Sequence, residues 1–213
     1  MSDFTDNLVA QAMHEYEKFE NGKGRETDDP FCQYVGNYWS VGLKNSHIDG
    51  RTTYQDSKGK SYRPAWSSAF ISYVVRCAGA TESQFLFSEG HIHYVVDAIR
   101  DAAAHNTTVA YLGRDPRVYV PKVGDLINAG RGSAADVTYA TVLQAYGPEA
   151  APKGNFMPSH SDIVVEVDPQ KGKLVTIGGN VAVDTVGRKV WQLDQAGRLA
   201  KGATLISVLE CML

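Results

Sequence analysis

The stretch from Ser159 to Gln192, SHSDIVVEVDPQKGKLVTIGGNVAVDTVGRKVWQ, decides the fold class. Its β-branched and apolar runs at 162–167, 174–177 and 186–192 predict three strands. The turn signals that separate them are Asp168-Pro169, Lys171-Gly172 and Gly178-Gly179-Asn180. This part of the chain is therefore expected to contribute neighbouring strands to a mainly antiparallel sheet.

The rest of the chain divides into helices followed by strands. Apolar residues spaced three and four apart predict helices at 4–19, 31–43, 64–79 and 90–104. Short β-branched runs predict further strands at 108–112, 125–128, 137–145 and 204–209. We expect an α+β fold, with helices of the amino-terminal half on a sheet from the carboxy-terminal half. Residues 1–213 are expected to form one domain, a core of 31–213 with an extension at 1–30.

Composition excludes several classes of protein. The 213 residues are 43% hydrophobic and 21% charged, which disfavours intrinsic disorder. The net charge is -3 and Lys/Arg-rich runs are absent, which argues against binding to nucleic acid or anionic membranes. Membrane insertion is not expected, since no apolar stretch approaches about 20 residues. Asp3 and Asp6 stand where a secretory signal carries positive charge, so we expect no export signal.

The cysteines and histidines predict neither a metal site nor a cofactor. Cys32, Cys77 and Cys211 are widely spaced and form no Cys-x-x-Cys pair, so at least one thiol is free. We expect all three to be buried structural residues, with Cys32 as an alternative reactive thiol near the site. The pair His91-x-His93 lacks an evident third ligand.

Three local signals indicate one site. Ser67 falls in the first turn of a helix, where free backbone N–H groups and the helix dipole favour negative charge. His160 enters a strand, and Asn180 ends the next one, so an antiparallel pairing of these strands brings the two together. Asp162 is two residues beyond His160 and shares its face. Taken singly, a cap for Ser67 and a structural role for His160 are the commoner functions.

The order of these motifs resembles the NlpC/p60 and CHAP superfamily of papain-like cell-wall hydrolases, in which Pro-Trp-Cys-Ala-Ala-Phe opens the corresponding helix. The segment Pro64-Ala65-Trp66-Ser67-Ser68-Ala69-Phe70 is closer still to an uncharacterised bacterial branch with Trp-Ser-Ala-Ala-Phe. The resemblance spans about residues 31–186 and includes the turn Gly124-Asp125-Leu126. It implies a papain-like fold.

The resemblance also implies roles for individual residues. Ser67 takes the position of the nucleophilic Cys, His160 that of the general base, and Asn180 that of the residue orienting the base, with Asp162 as the alternative. Trp66, Asp125 and His91 are candidate substrate-binding residues. A turn or cap role for Asp125, and packing or capping for His91, are the commoner alternatives.

Serine at the nucleophile position departs from the superfamily. A helix amino terminus contributes up to about 2 kcal/mol, or roughly 1.5 pKa units, to an anion. That shift brings a thiol close to neutral pH but leaves an alcohol protonated, so Ser67 needs a base during the reaction. We favour an amide hydrolase, and a catalytically inactive module that binds cell-wall peptide or glycan is the alternative.

The resemblance also implies a substrate and a biological setting. The substrate would be an amide of a peptidoglycan stem peptide, cleaved by an amidase or endopeptidase. The resemblance extends to antibacterial type VI secretion effectors, which are made in the cytoplasm and act in a target-cell periplasm. An immunity protein and a component of the secretion machine would then be partners of a monomeric toxin. A phage lysin and a cytoplasmic recycling enzyme are the other uses.

Overall fold

The structure, a computed structural model, describes residues 2–146, 157–182, 184–200 and 204–213. Its helices are α1 (Asp3–Lys18), α2 (Phe31–Asn37), α3 (Ser67–Cys77), α4 (His91–Ala103) and α5 (Tyr139–Tyr146). A π-helical turn, Tyr38–Gly42, continues α2, and a 3-10 turn covers Gly132–Ala134. The strands are β1 (Tyr54–Gln55), β2 (Ser61–Tyr62), β3 (Tyr111–Arg114), β4 (Leu126–Gly130), β5 (Ser159–Asp168), β6 (Lys173–Val181), β7 (Thr185–Gln192) and β8 (Leu205–Cys211).

The six longer strands form one antiparallel sheet in the order β3-β8-β4-β5-β6-β7, and β1 and β2 form a separate hairpin. Strands β5, β6 and β7 are consecutive antiparallel neighbours, as the turn chemistry between them predicts. Ile163 of β5 lies opposite Ile177 of β6. This register brings the start of β5 to the end of β6.

Helices α1, α3 and α4 all contact the sheet, and the main hydrophobic core lies between them and it. Phe4, Leu8 and Phe19 belong to this core, so the 1–30 segment packs with the rest of the fold. A smaller cluster around Trp191 and Val164 is separate from it. The prediction of an α+β fold is therefore confirmed.

The structure corrects the sequence predictions at one secondary-structure element and at the cysteines. Residues 137–145, expected as a strand, contain most of α5, whose amino terminus is held by a 3.3 Å hydrogen bond from the Thr141 N–H to the Thr138 hydroxyl. Residues at 139, 142, 143 and 146 pack on the core with helical spacing, and that packing outweighs their β propensity. Of the three cysteines expected to be buried, Cys32 is buried, Cys211 is half-buried and Cys77 is exposed.

Asp125 is a structural anchor. Its carboxylate is almost fully buried and accepts hydrogen bonds from the backbone N–H groups of Lys122 at 2.8 Å and Cys211 at 2.9 Å. These contacts join the turn before β4 to the end of β8. Burial raises the pKa of Asp125 from 3.8 to about 6, despite those two hydrogen bonds.

We expect Asp125 to make the protein less stable as pH rises. The folded carboxyl binds its proton more tightly than the unfolded one, so its contribution is complete below pH 4 and is lost as pH rises through about 6. The pKa difference corresponds to roughly 3 kcal/mol in the free energy of unfolding. Urea unfolding from pH 4 to 7 should show this decrease, and Asp125→Asn should flatten it. An unchanged slope in Asp125→Asn would contradict the assignment.

None of the described helices is long and apolar enough to cross a membrane.

Candidate active site

Ser67 is the first residue of α3 and is only 6% exposed. The first intrahelical bond joins the Phe70 N–H to the Trp66 carbonyl at 2.9 Å. The N–H groups of Ser67, Ser68 and Ala69 have no acceptor among the described residues. The Ser67 hydroxyl therefore lies beside a set of free backbone donors at the positive end of the helix dipole.

The hydroxyl of Ser67 is 2.6 Å from Nε2 of His91, the first residue of α4. The other ring nitrogen, Nδ1, is 2.5 Å from the Tyr94 hydroxyl one turn further along the same helix. Both rings are buried. A neutral imidazole has one donor and one acceptor nitrogen, so the tautomer with its proton on Nδ1 lets Nε2 accept the Ser67 hydroxyl.

Burial keeps His91 neutral. Its loss of hydration lowers the pKa of His91 well below the ordinary value of 6.5, and electrostatic repulsion from the neighbouring His160 and Arg131 side chains lowers it further. Burial also raises the pKa of Tyr94, so its phenol stays protonated. His91 is therefore available as a proton acceptor at neutral pH.

A second imidazole lies beside the first. The His160 and His91 rings are 5.2 Å apart between centroids. Nε2 of His160 is 2.9 Å from Oδ1 of Asp162, and both side chains are about 95% buried. A Cβ at Gly178 of β6 would overlap that carboxylate oxygen and approach the His160 ring. The lack of a side chain at Gly178 is what makes room for the pair.

Gly178→Ala should therefore destabilise the protein by about 1–3 kcal/mol, since the added methyl group displaces a buried carboxylate. Gly36→Ala on α2 is the matched control, because a Cβ there meets only ordinary contacts. Urea unfolding measures both changes. The loss should shrink when Asp162→Ala is also present, and an equal loss in that background would rule out this overlap as the cause.

The sequence predicted that His160 is the base for Ser67, and the structure does not bring these two side chains into contact. Among the described residues no hydrogen bond connects them, because α4 begins with His91 against Ser67 and its ring lies next to that of His160. His160 is instead paired with Asp162, the alternative to Asn180.

Asn180 was predicted to orient His160, and its observed contacts are different. Its backbone has a left-handed φ of 56°, and the β6–β7 register shifts between Gly178 and Val181. The side-chain amide of Asn180 lies 3.5 Å from both the Glu26 and the Asp184 carboxylates. No hydrogen bond to His160 occurs within the described ranges.

Glu26 is a buried residue between the predicted helices at 4–19 and 31–43. Its carboxylate, 4% exposed, accepts a 2.5 Å hydrogen bond from the indole N–H of Trp66, the residue before Ser67. Arg63 lies 3.7 Å away. Burial raises the pKa of Glu26. The local sequence around a single acidic residue in a loop does not indicate that the residue is buried. The hydrogen bond by which Glu26 holds Trp66, and with it the start of α3, is therefore visible only in the tertiary structure.

The candidate substrate-binding residues all have structural contacts. Trp66 is 1% exposed and packs against Phe19 and Tyr38. Asp125 accepts hydrogen bonds from backbone amides, and His91 contacts Ser67.

Cys32, the alternative reactive thiol, is not activated. Its thiol donates a hydrogen bond to Asp29 at 3.2 Å, and burial raises the pKa of the thiol, which disfavours the thiolate. The described residues contain no group of three or more acidic, His or Cys side chains placed to hold a metal ion.

A cavity of about 440 Å³ opens beside the two imidazoles. His160 and Asp162 line it, as do Arg131, Arg188 and Lys189. Ser67 and His91 do not line this cavity, although the His91 ring lies next to that of His160.

The fold and the site define an α+β protein with a buried Ser–His pair at a helix amino terminus. Residues 26–209 match the family described as "Uncharacterized protein conserved in bacteria (DUF2272)", and the chain belongs to this family. Comparison with curated proteins and with solved structures found no match.

Proposed function

We propose that the protein is a serine amide hydrolase of the papain-like NlpC/p60 type that cleaves peptidoglycan stem peptides. The observation that carries the proposal is the 2.6 Å contact between the Ser67 hydroxyl and Nε2 of His91 at the start of α3. A hydroxyl in contact with a neutral imidazole, whose other nitrogen has its own partner, is the arrangement that serine nucleophiles require.

In acylation, the Ser67 oxygen attacks the amide carbonyl carbon while Nε2 of His91 takes the hydroxyl proton. The free N–H groups at the start of α3 are suited to hold the developing oxyanion. His91 then gives its proton to the amine as the C–N bond breaks, leaving an ester on Ser67. Water, deprotonated by His91, hydrolyses that ester and restores the hydroxyl.

The other residues have supporting roles in this mechanism. Tyr94 holds the His91 ring through Nδ1 and selects the tautomer that accepts a proton at Nε2. Asp162 is hydrogen-bonded to Nε2 of His160 and so holds that ring beside the ring of His91. Glu26 holds Trp66 and so positions the start of α3.

The substrate and setting come from the resemblance of the Trp66–Phe70 segment to cell-wall hydrolases. We propose an antibacterial effector that is delivered by a type VI secretion machine and acts in a target-cell periplasm, with an immunity protein as its partner. Expression with a periplasmic signal peptide should stop growth, and cytoplasmic expression should not. Normal growth in both cases would contradict the effector role.

A second candidate is a binding module without catalysis. It is favoured by the burial of Ser67 and by a cavity that reaches His160 and Asp162 instead. In this case the cavity holds a peptide or glycan and the Ser–His pair is structural.

Incubation of the full chain with purified peptidoglycan distinguishes the two functions. The hydrolase should release soluble muropeptides with one type of amide cleaved, identified by mass spectrometry. Co-sedimentation with peptidoglycan in the absence of any released product would instead support the binding module. Neither release nor co-sedimentation would reject both.

The pH dependence of activity should reflect the environment of His91. Because burial lowers its pKa well below 6.5, His91 remains unprotonated as pH falls through that value. We expect kcat/KM to stay constant from pH 8 to 6.5 and to decline only at lower pH. A midpoint at or above 6.5 would exclude His91 as the base, provided that circular dichroism shows the protein folded throughout.

A further inference from the structure

The cavity beside His160 has more cationic than acidic side chains in its wall. Its wall includes Arg131, Arg188 and Lys189, whereas Asp162 is its one acidic lining residue within the described ranges. The Asp162 carboxylate is already engaged by the His160 ring. The wall therefore carries unneutralised positive charge, which favours an anionic ligand.

Arg131 is the cation with the fewest contacts. Its side chain is exposed, and in the part of the chain that the structure describes its guanidinium forms no hydrogen bond or ion pair. Arg188 is 3.5 Å from Glu166, and the Lys189 ammonium lies 3.6 Å from the centre of the Trp191 ring. The five N–H donors of Arg131 are thus available to a ligand in the cavity.

Arg131 also lies at the cavity wall that contains His160, the imidazole next to the candidate base. Its positive charge contributes to the low pKa of His91, and it lines the same cavity as His160. Nδ1 of His160 is buried and has no hydrogen-bond partner among the described residues. An unpaired buried nitrogen costs free energy, so this face of the site is incomplete without a ligand or water.

We propose that Arg131, supported by Arg188 and Lys189, binds a carboxylate of the substrate and so makes the site specific for amides in peptides with free carboxylates. A planar guanidinium matches a carboxylate with two parallel hydrogen bonds, whereas a neutral carboxamide pairs with it more weakly. This inference rests on the proposed function, because it names the class of amide that the hydrolase accepts.

Calorimetric binding to the full chain carrying Ser67→Ala tests the inference without turnover. The probes are the peptide L-Ala–γ-D-Glu–L-Lys–D-Ala and the same peptide with both free carboxylates converted to carboxamides. The carboxylate form should bind at least about tenfold more tightly. Adding Arg131→Gln should remove this preference. Arg117→Gln is the matched control, since Arg117 is an exposed arginine paired with Asp115 at another cavity.

Equal affinities for the two peptides, a preference that survives Arg131→Gln, or no binding of either peptide would each overturn the inference. The binding result is independent of hydrolysis. If the carboxylate preference depends on Arg131 while the wild-type chain releases no product, the hydrolase proposal fails and the carboxylate site stands. If the wild-type chain cleaves both peptides equally well, the carboxylate site fails and the hydrolase proposal stands.

Discussion

Ser67→Ala is expected to lower kcat/KM for muropeptide release by at least about 10³-fold while the protein remains folded. The change removes the oxygen that contacts Nε2 of His91, and no other described hydroxyl contacts that nitrogen. Loss of a serine nucleophile commonly costs three to six orders of magnitude. The measurement is the rate of product release from peptidoglycan, followed by mass spectrometry at several substrate concentrations.

Ser72→Ala is the matched control for this prediction. Ser72 is buried on the same helix, and its hydroxyl lies 3.3 Å from the Ser88 carbonyl, so its removal tests general damage to α3. Product release by Ser67→Ala at the wild-type rate would remove Ser67 from the mechanism. Ser67→Cys should retain or increase activity, because a helix amino terminus brings a thiol pKa toward neutrality.

His91→Gln should produce a loss of at least about 10³-fold in kcat/KM. Glutamine keeps a polar side chain at the start of α4 but cannot shuttle a proton between Ser67 and the leaving amine. His160→Gln should reduce kcat/KM by less than His91→Gln does, because His160 is hydrogen-bonded to Asp162 and not to Ser67. Steady-state kinetics on the same peptidoglycan substrate measure both variants.

His93→Gln controls for the addition of glutamine near the start of α4. His93 is exposed and contacts the Ser88 hydroxyl at 2.7 Å, so its replacement should leave kcat/KM within a few-fold of wild type. Thermal unfolding of each variant separates lost chemistry from lost structure. A large loss for His160→Gln with little change for His91→Gln would return the role of base to His160.

Local sequence patterns predicted most of the secondary structure for a physical reason. Helix α3 has a proline shortly before its start, apolar residues at helical spacing and Gly79 after its end, and each signal acts within a few residues. The prediction of a strand at 137–145 was wrong because short-range patterns do not include contacts with the core. That run is rich in β-branched and aromatic residues, and its contacts with the core, rather than local propensity, make it helical.

The candidate site was predicted only in part. Ser67, His160 and Asp162 were identified from their places at the start of a helix and a strand, which depend on short-range patterns. The contact of His91 with Ser67 was missed, since α3 and α4 are joined by residues 78–90, whose path the sequence pattern does not define. Arg131 and Glu26 were missed for the same reason, because neither lies in a motif.

By itself, the sequence determined that a hydroxyl stands at the beginning of a buried helix and that an imidazole and a carboxylate share one strand two residues apart. Both follow from the periods of helices and strands, which are visible in the pattern of residues close together in the chain. Only the tertiary structure decided which imidazole meets the hydroxyl and where Asn180 points. Those outcomes depend on how α4 docks and on the shifted register between β6 and β7, which result from packing between residues far apart in the chain.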